Sequence, residues 1–225
     1  MRNRQLGRLW ERERATAVDW MVEVQVLYGL RTETLFLAVS LLDSFLKLNE
    51  VNQVQLQLAV VCSLFVAAKF EEIEPPNVKD FVNMTNEVCN KQDILAMEAT
   101  LLTSLEFSLC RPTAVHFLER GSRSPQRLFS RKMLQKHGFL TQYLLELALV
   151  DSQMLRFPPS LQVAAATMVS SRLLGSLVRV PRHDISGERS AMIYRCALEM
   201  CRLLEEVELS SHQAVRKKFL RPSEL

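Results

Sequence analysis

The chain is short of the residues that break helices: of its 225 residues only 6 are glycine and 8 are proline. Leu, Ala, Val, Glu and Arg dominate instead, a set that mostly suits helix better than sheet. Five cysteines, Cys62, Cys89, Cys110, Cys196 and Cys201, make an odd count without close pairing. That argues against a disulfide framework and for a reducing compartment. Cys196 and Cys201 stand five apart, the wrong spacing for a tight metal pair on one helix. No apolar run reaches the roughly 18 uncharged residues of a membrane helix, and Val54–Lys69, the nearest approach, carries Gln55, Gln57 and Ser63. Met1-Arg2-Asn3-Arg4 is basic, but no apolar core follows it, so it does not read as a secretory signal and an intracellular protein is expected. Enzyme signatures are missing too: there is no G-x-G-x-x-G, P-loop, H-E-x-x-H or G-x-S-x-G. His116, His137, His183 and His212 are scattered, none beside a metal-like partner. A net charge of +3 is too weak to argue for nucleic-acid binding by itself.

What remains is 48% hydrophobic and 24% charged residues, the balance of a globular protein large enough to fold without staples. Apolar spacing by three and four predicts a helix over about Thr16–Tyr28, ended by Gly29. A second helix, capped by Thr32, carries Leu35, Leu37, Ala38, Leu41, Leu42, Phe45 and Leu46. The third, about Gln53–Lys69, is apolar nearly all round and belongs at the centre of a bundle. Pro75-Pro76 stops it, and Pro76 opens a short helix ending near Met84. Asn90 caps a fifth helix, about Lys91–Leu105, with Ile94, Leu95, Met97, Leu101, Leu102 and Leu105 as its core stripe. Pro112 opens a short helix through Leu118, and Gly121–Gln126 is loop-like. Further helices are expected at about Arg131–Asp151, Ser160–Leu174, Ser190–Val207 and Ser211–Phe219. Leu42-Asp43 before Gln57–Val60 has a faint echo in Val150-Asp151 before Gln162–Ala165. Two similar helical bundles split near Arg111 is the simplest reading.

Three arrangements are candidates for chemistry or clamping. Glu71 and Glu72 are adjacent, so on a helix they diverge by about 100° and form no catalytic dyad; an exposed acidic helix end is the simpler reading. Three basic groups, Arg2/Arg4/Arg8/Arg12/Arg14, Arg120/Arg123/Arg127/Arg131/Lys132 and Arg216/Lys217/Lys218/Arg221, contain only single aromatics, fewer than a stacking single-strand binder would want. Arg14 and Asp43 interrupt apolar patterns, so each needs a partner if buried, and an Arg14–Asp43 ion pair is expected.

The run Arg14–Val24 (R-A-T-A-V-D-W-M-V-E-V) resembles the opening helix of the cyclin box. Thr34–Val39 with Leu42–Leu46 resembles its second helix, and Leu56–Leu58 through Lys69-Phe70-Glu71-Glu72-Ile73-Glu74-Pro75-Pro76 its third helix and following turn. Met97-Glu98 and Leu105-Glu106-Phe107 resemble the fifth; Pro112–Leu118 and Leu161–Ala166 resemble the second cyclin fold. The match is best to A/B-type mitotic cyclins and covers about residues 13 to 220. It implies an all-α protein of two tandem five-helix cyclin-box bundles, divided as an N-terminal segment 1–13, a first box 14–110 and a second cyclin fold 111–225.

The resemblance also implies a non-catalytic activator without cofactor, forming a heterodimer with a cyclin-dependent protein kinase in nucleus and cytoplasm to drive cell-cycle progression. Lys69 and Glu98 would contact the kinase, flanked by Phe70, Glu72, Phe107 and Leu109. The family's docking groove for substrate or inhibitor peptides maps to Glu13, Thr16, Trp20, Glu23, Leu56 and Gln57. There this chain departs from the family. Glu13-Arg14-Ala15-Thr16-Ala17 replaces a Met-Arg-Ala-Ile-Leu-like run, so loss of apolar anchors is expected to weaken docking. Little length precedes Trp10, so the extra N-terminal helix of many cyclins is expected to be short or absent, and the upstream degradation signals absent, as in a shortened or compact divergent cyclin. Other readings are a cyclin-fold transcription factor that binds DNA and a scaffold that has lost kinase activation. Neither a specific nucleic acid nor a membrane is expected as partner.

Overall fold

In the computed structural model the described residues are 2–85, 88–122, 131–175 and 187–220. They form ten α-helices and one 3-10 turn: α1 (Arg2–Tyr28), α2 (Thr32–Leu48), α3 (Gln53–Glu71), α4 (Val78–Met84), α5 (Lys91–Ser104), α6 (Ala114–Ser122), α7 (Arg131–Val150), the 3-10 turn Ser152–Arg156, α8 (Pro159–Leu173), α9 (Gly187–Glu206) and α10 (Ala214–Phe219). They divide into two compact units, Trp20–Val115 and Met1–Asp19 together with His116–Leu225, called here the N-terminal and C-terminal bundles. Of the expected loop Gly121–Gln126, Gly121 and Ser122 instead close α6, and the rest, like His183, lies outside the described residues.

In the N-terminal bundle α3 is the central element, packed against α2, α5 and α4. Its residues Leu56 and Ala59–Ala68 are buried, as its all-round apolar pattern requires. By length and composition α3 is a helix that could cross a membrane, contrary to the reading that no run is long enough; here its apolar surface is spent inside the bundle. Asn52, Asn77 and Asn90 each start a helix with a reciprocal capping box, closed by Gln55, Asp80 and Asp93. Pro76 therefore lies before the cap of α4 and not in its first turn. Thr32 is likewise not the cap of α2, because that position falls to Arg31. Gly29 ends α1 in the left-handed region (φ 62), with Leu30 N–H donating to the Gln25 carbonyl at 2.9 Å. The start of α1 moves from the expected Thr16 to Arg2, since Arg, Gln, Leu and Glu favour helix even where no apolar stripe announces it.

The C-terminal bundle repeats the plan, with α8 packed against both α7 and α9. Arg14 is 1% exposed and donates to the carbonyls of Leu149 and Val150 at 2.9 and 3.3 Å, capping the end of α7. Asp19 accepts the N–H of Ala214 at 2.9 Å and so receives the start of α10. Two members of the third basic group are used within the fold: Lys218 donates to both oxygens of the buried Glu146 at 2.7 Å, and Arg216 pairs with Glu208 at 2.8 Å. Arg202 joins Asp151, Glu199 and Glu206, and Arg156 also reaches Glu199. A cavity of about 670 Å³ opens beside these pairs, lined by Arg12, Asp151, Arg202 and His212 among others.

His137 on α7 is buried, its Nε2 within 3.0 Å of Ser171 Oγ and 3.3 Å of the Thr167 carbonyl. Burial lowers its pKa from the ordinary 6.5, partly offset by the hydrogen bond to Thr167. The unfolded chain then binds the extra proton first, so stability falls as pH drops below about 6.5 and levels off below the folded value. Melting curves between about pH 7.5 and about pH 5.5 check this: His137→Gln should flatten that part of the acid loss, and an unchanged slope would contradict it.

Candidate functional site

α3 surfaces at its two ends, at Gln53–Gln55 and Gln57 in its first turns and again in its last turn. Ala67 and Ala68 are fully buried, and the next residues, Lys69 and Phe70, are exposed. A cation in the last turn is favoured there by the carbonyl end of the helix. The Lys69 ammonium sits 4.3 Å from the centroid of the Phe65 ring, which packs edge-on against Phe81 at 5.1 Å. It also forms an ion pair with Glu98 of α5, the side chains being 41% and 14% exposed. At that exposure the pair adds little to stability, about 0–1 kcal/mol. Its effect is geometric, since each charged group holds the other in place at the α3–α5 seam. Directly beneath, Cys62 Sγ lies 3.9 Å from the Ile94 carbonyl, and burial pushes its thiol up to about 12.

Glu72 is not the exposed acid that the sequence suggested. It is half-buried, and its Oε1 accepts the Arg31 N–H at 2.8 Å and the Thr34 hydroxyl. Phe107 is 69% exposed and sits in strained backbone: Glu106 and Phe107 have φ of 50° and 55°. Glu106 N–H donates to Thr103 and Phe107 N–H to Leu102, so this is a helix-ending cap with Glu where glycine is usual. Two left-handed non-glycine residues cost about 1–3 kcal/mol each, a strain held by the surrounding bonds. One of these is Arg111, which donates to the Ser108 carbonyl at 2.9 Å and to Ser44. Leu109 is half-buried, its N–H on the Phe107 carbonyl.

All six expected kinase-contact residues thus lie in the N-terminal bundle, and Lys69 and Glu98 touch. Sequence reasoning missed Ile73, 96% exposed inside the same motif, and misplaced Leu95, which is 42% exposed and not core. Leu95 stands one residue from Ile94, about 100° round the helix, while Ile94, Leu101 and Leu105 keep the buried spacing. Met97 and Leu102 are half-buried. Of the expected groove, exposed Glu13 and Thr16 belong to the C-terminal bundle, and Trp20, Glu23, Leu56 and Gln57 to the N-terminal one. Thr16 donates to the Arg12 carbonyl at 3.0 Å and lies 3.2 Å from His212 Nε2. Arg14 and Asp43, both buried, also belong to different bundles. Among the described residues no cluster of His, Cys, Asp or Glu is placed to hold a metal. The side chains of Arg2, Arg4 and Arg8, and all of Arg123, Arg127 and Arg221, lie outside the described residues.

Two tandem all-α bundles, each built round a buried small-residue helix, define a cyclin-type fold. The chain belongs to the cyclin family: residues 2–110 match the cyclin N-terminal domain and residues 112–224 the cyclin C-terminal domain. It is 45% identical over 213 residues to a cyclin-A3-1 sequence of Arabidopsis thaliana, covering 92% of this chain and 59% of the relative. It is 33% identical over 213 residues to a G2/mitotic-specific cyclin-B of Dictyostelium discoideum, covering 93% of this chain and 48% of the relative. The chain therefore spans about half to three-fifths of these relatives. Its fold is similar to the X-ray structure of a viral cyclin from Herpesvirus saimiri, with a TM-score of 0.71 and 13% identity over 86% of each chain.

Proposed function

We propose that this chain is the regulatory subunit of a cyclin-dependent protein kinase and does no chemistry itself, acting in nucleus and cytoplasm to control cell-cycle progression. The observation that carries the reading is the Lys69–Glu98 pair at the C-terminal end of the core helix, where its buried stretch gives way to solvent. Exposed Phe70, Ile73 and Phe107 belong to the same bundle. Lysine offers three donors and Glu98 only acceptors, so together they suit a partner surface that presents both bare carbonyls and N–H donors. The aromatic and aliphatic side chains supply apolar area. Activation needs only that the chain bind the active kinase conformation more tightly than the inactive one. Holding the kinase αC helix inward, so that its Glu meets the β3 Lys, does that.

Docking desolvates Lys69 and Glu98 together, so removing one leaves the other poorly paired at an interface. Lys69→Ala and Glu98→Ala should each weaken kinase capture by about 2–5 kcal/mol and lower activation in step. Pull-down followed by a kinase assay checks this; no kinase recovered by the unmodified chain, or recovery indifferent to both changes, would contradict it. The DNA-binding reading is not favoured, since Lys218 and Arg216 are spent on Glu146 and Glu208.

We further propose that peptide docking is weakened in this chain. Glu13 and Thr16 replace apolar anchors, and the Thr16 hydroxyl is already engaged. An Arg-x-Leu peptide titrated by fluorescence anisotropy should bind weakly, and Glu13→Met with Thr16→Ile should tighten it about tenfold or more. Tight binding by the unmodified chain would overturn this.

A further inference from the structure

Of the four helices α2 to α5, three begin in a local capping box supplied by Asn52, Asn77 or Asn90. α2 begins on Arg31, whose side chain makes no cap hydrogen bond at its own helix. The acceptor that α2 lacks comes from Glu72. Glu72 Oε1 takes the N–H of Arg31, the cap position, and the hydroxyl of Thr34, the third residue of the helix. These are the two positions that a local box joins, and a distant carboxylate takes the part that the third residue's side chain plays there, receiving the cap N–H. The exchange is reciprocal. Arg31 Nη1 donates to the Glu71 carbonyl at 3.2 Å, one of the last carbonyls of α3, while Nη2 holds Glu33 at 2.9 Å. Glu72 is itself the residue that ends α3, with its N–H on the Ala68 carbonyl at 2.9 Å. Glu72 stands three positions after Lys69, less than one helical turn.

We propose that Glu72 is a positioning residue. Through Arg31 and Thr34 it pins the final turn of α3 to the start of α2, and so fixes the directions in which Lys69 and Phe70 leave the core. It need not touch the kinase. This rests on the reading of Lys69 as a kinase contact. It assigns to Glu72 a role different from the direct contact expected of it.

The two roles separate in a binding experiment. Affinity for a purified cell-cycle cyclin-dependent kinase catalytic subunit is measured by calorimetry for the unmodified chain and the variants. These are Glu72→Ala, Glu72→Gln, Thr34→Val, Glu72→Ala with Thr34→Val, and Glu72→Ala with Lys69→Ala. All are held well below their melting temperatures and checked as folded by circular dichroism. Glu72→Ala should weaken binding about tenfold and Thr34→Val about threefold, the double variant no more than Glu72→Ala alone. Glu72→Gln, which keeps an acceptor oxygen, should recover most of the affinity. In the Lys69→Ala background Glu72→Ala should cost clearly less than in the unmodified chain, since one of the two groups it positions is gone. A loss on Glu72→Ala that is unchanged in the Thr34→Val and Lys69→Ala backgrounds would mark Glu72 as a direct contact and overturn the proposal. So would folded Glu72→Ala binding at full strength. If Glu72→Ala does not fold, Thr34→Val alone decides: full affinity overturns the proposal. An unmodified chain that binds no kinase removes the underlying reading and this inference with it.

Discussion

The N-terminal bundle depends on one constraint: from Ala59 to Ala68 α3 has no solvent face. Leu56 and the whole stretch Ala59–Ala68 are buried, and an apolar helix of that length is satisfied only by neighbours on all sides. α2, α4 and α5 pack against it for that reason. The same constraint decides where function can reside. A helix enclosed along its length can offer charged groups only at an end, and the C-terminal end of α3 is where Lys69, Phe70 and Glu72 appear.

At that end the structure adds stiffness from several directions. Phe65 and Phe81 support the Lys69 ammonium, Glu98 holds it from α5, and Glu72 fastens the same turn to α2. Strain is stored nearby in Glu106 and Phe107, which close α5 in left-handed backbone and leave the Phe107 ring exposed. Such costs are held in place by their surroundings and cluster at sites that present a fixed surface to a partner. Rigid presentation lowers the ordering cost of association, the quantity that most separates strong from weak interfaces of equal size.

Much of this was legible in the residues. Spacing by three and four located α2, an apolar pattern nearly all round located α3, and Asn90 announced the start of α5 with its apolar stripe. The caps Asn52 and Asn77 each carry a legible signal too, an acid or amide three residues on, which the reading of Pro76 as the opening of α4 overlooks. The first half of α1 was not legible, because it carries helix-favouring residues without an apolar stripe. Nor was the capping of α7 by Arg14, whose partners Leu149 and Val150 are more than a hundred residues away. Lys69 and Glu98 were picked out by resemblance to known cyclins, since nothing in local periodicity joins two residues 29 apart. Glu72 shows the limit most clearly. Its sequence neighbours suggest a solvated acid, and only the tertiary fold brings the start of α2 to its carboxylate.

The central claim is that the surfaced end of α3 and its α5 neighbour grip a kinase. Amide hydrogen exchange of the chain, alone and saturated with a cyclin-dependent kinase, tests it without altering any residue. The account predicts new protection concentrated between Lys69 and Ile73 and between Glu98 and Leu109, with the amides of α9 and α10 unchanged. Protection confined to the C-terminal bundle, or none at the end of α3, would contradict it.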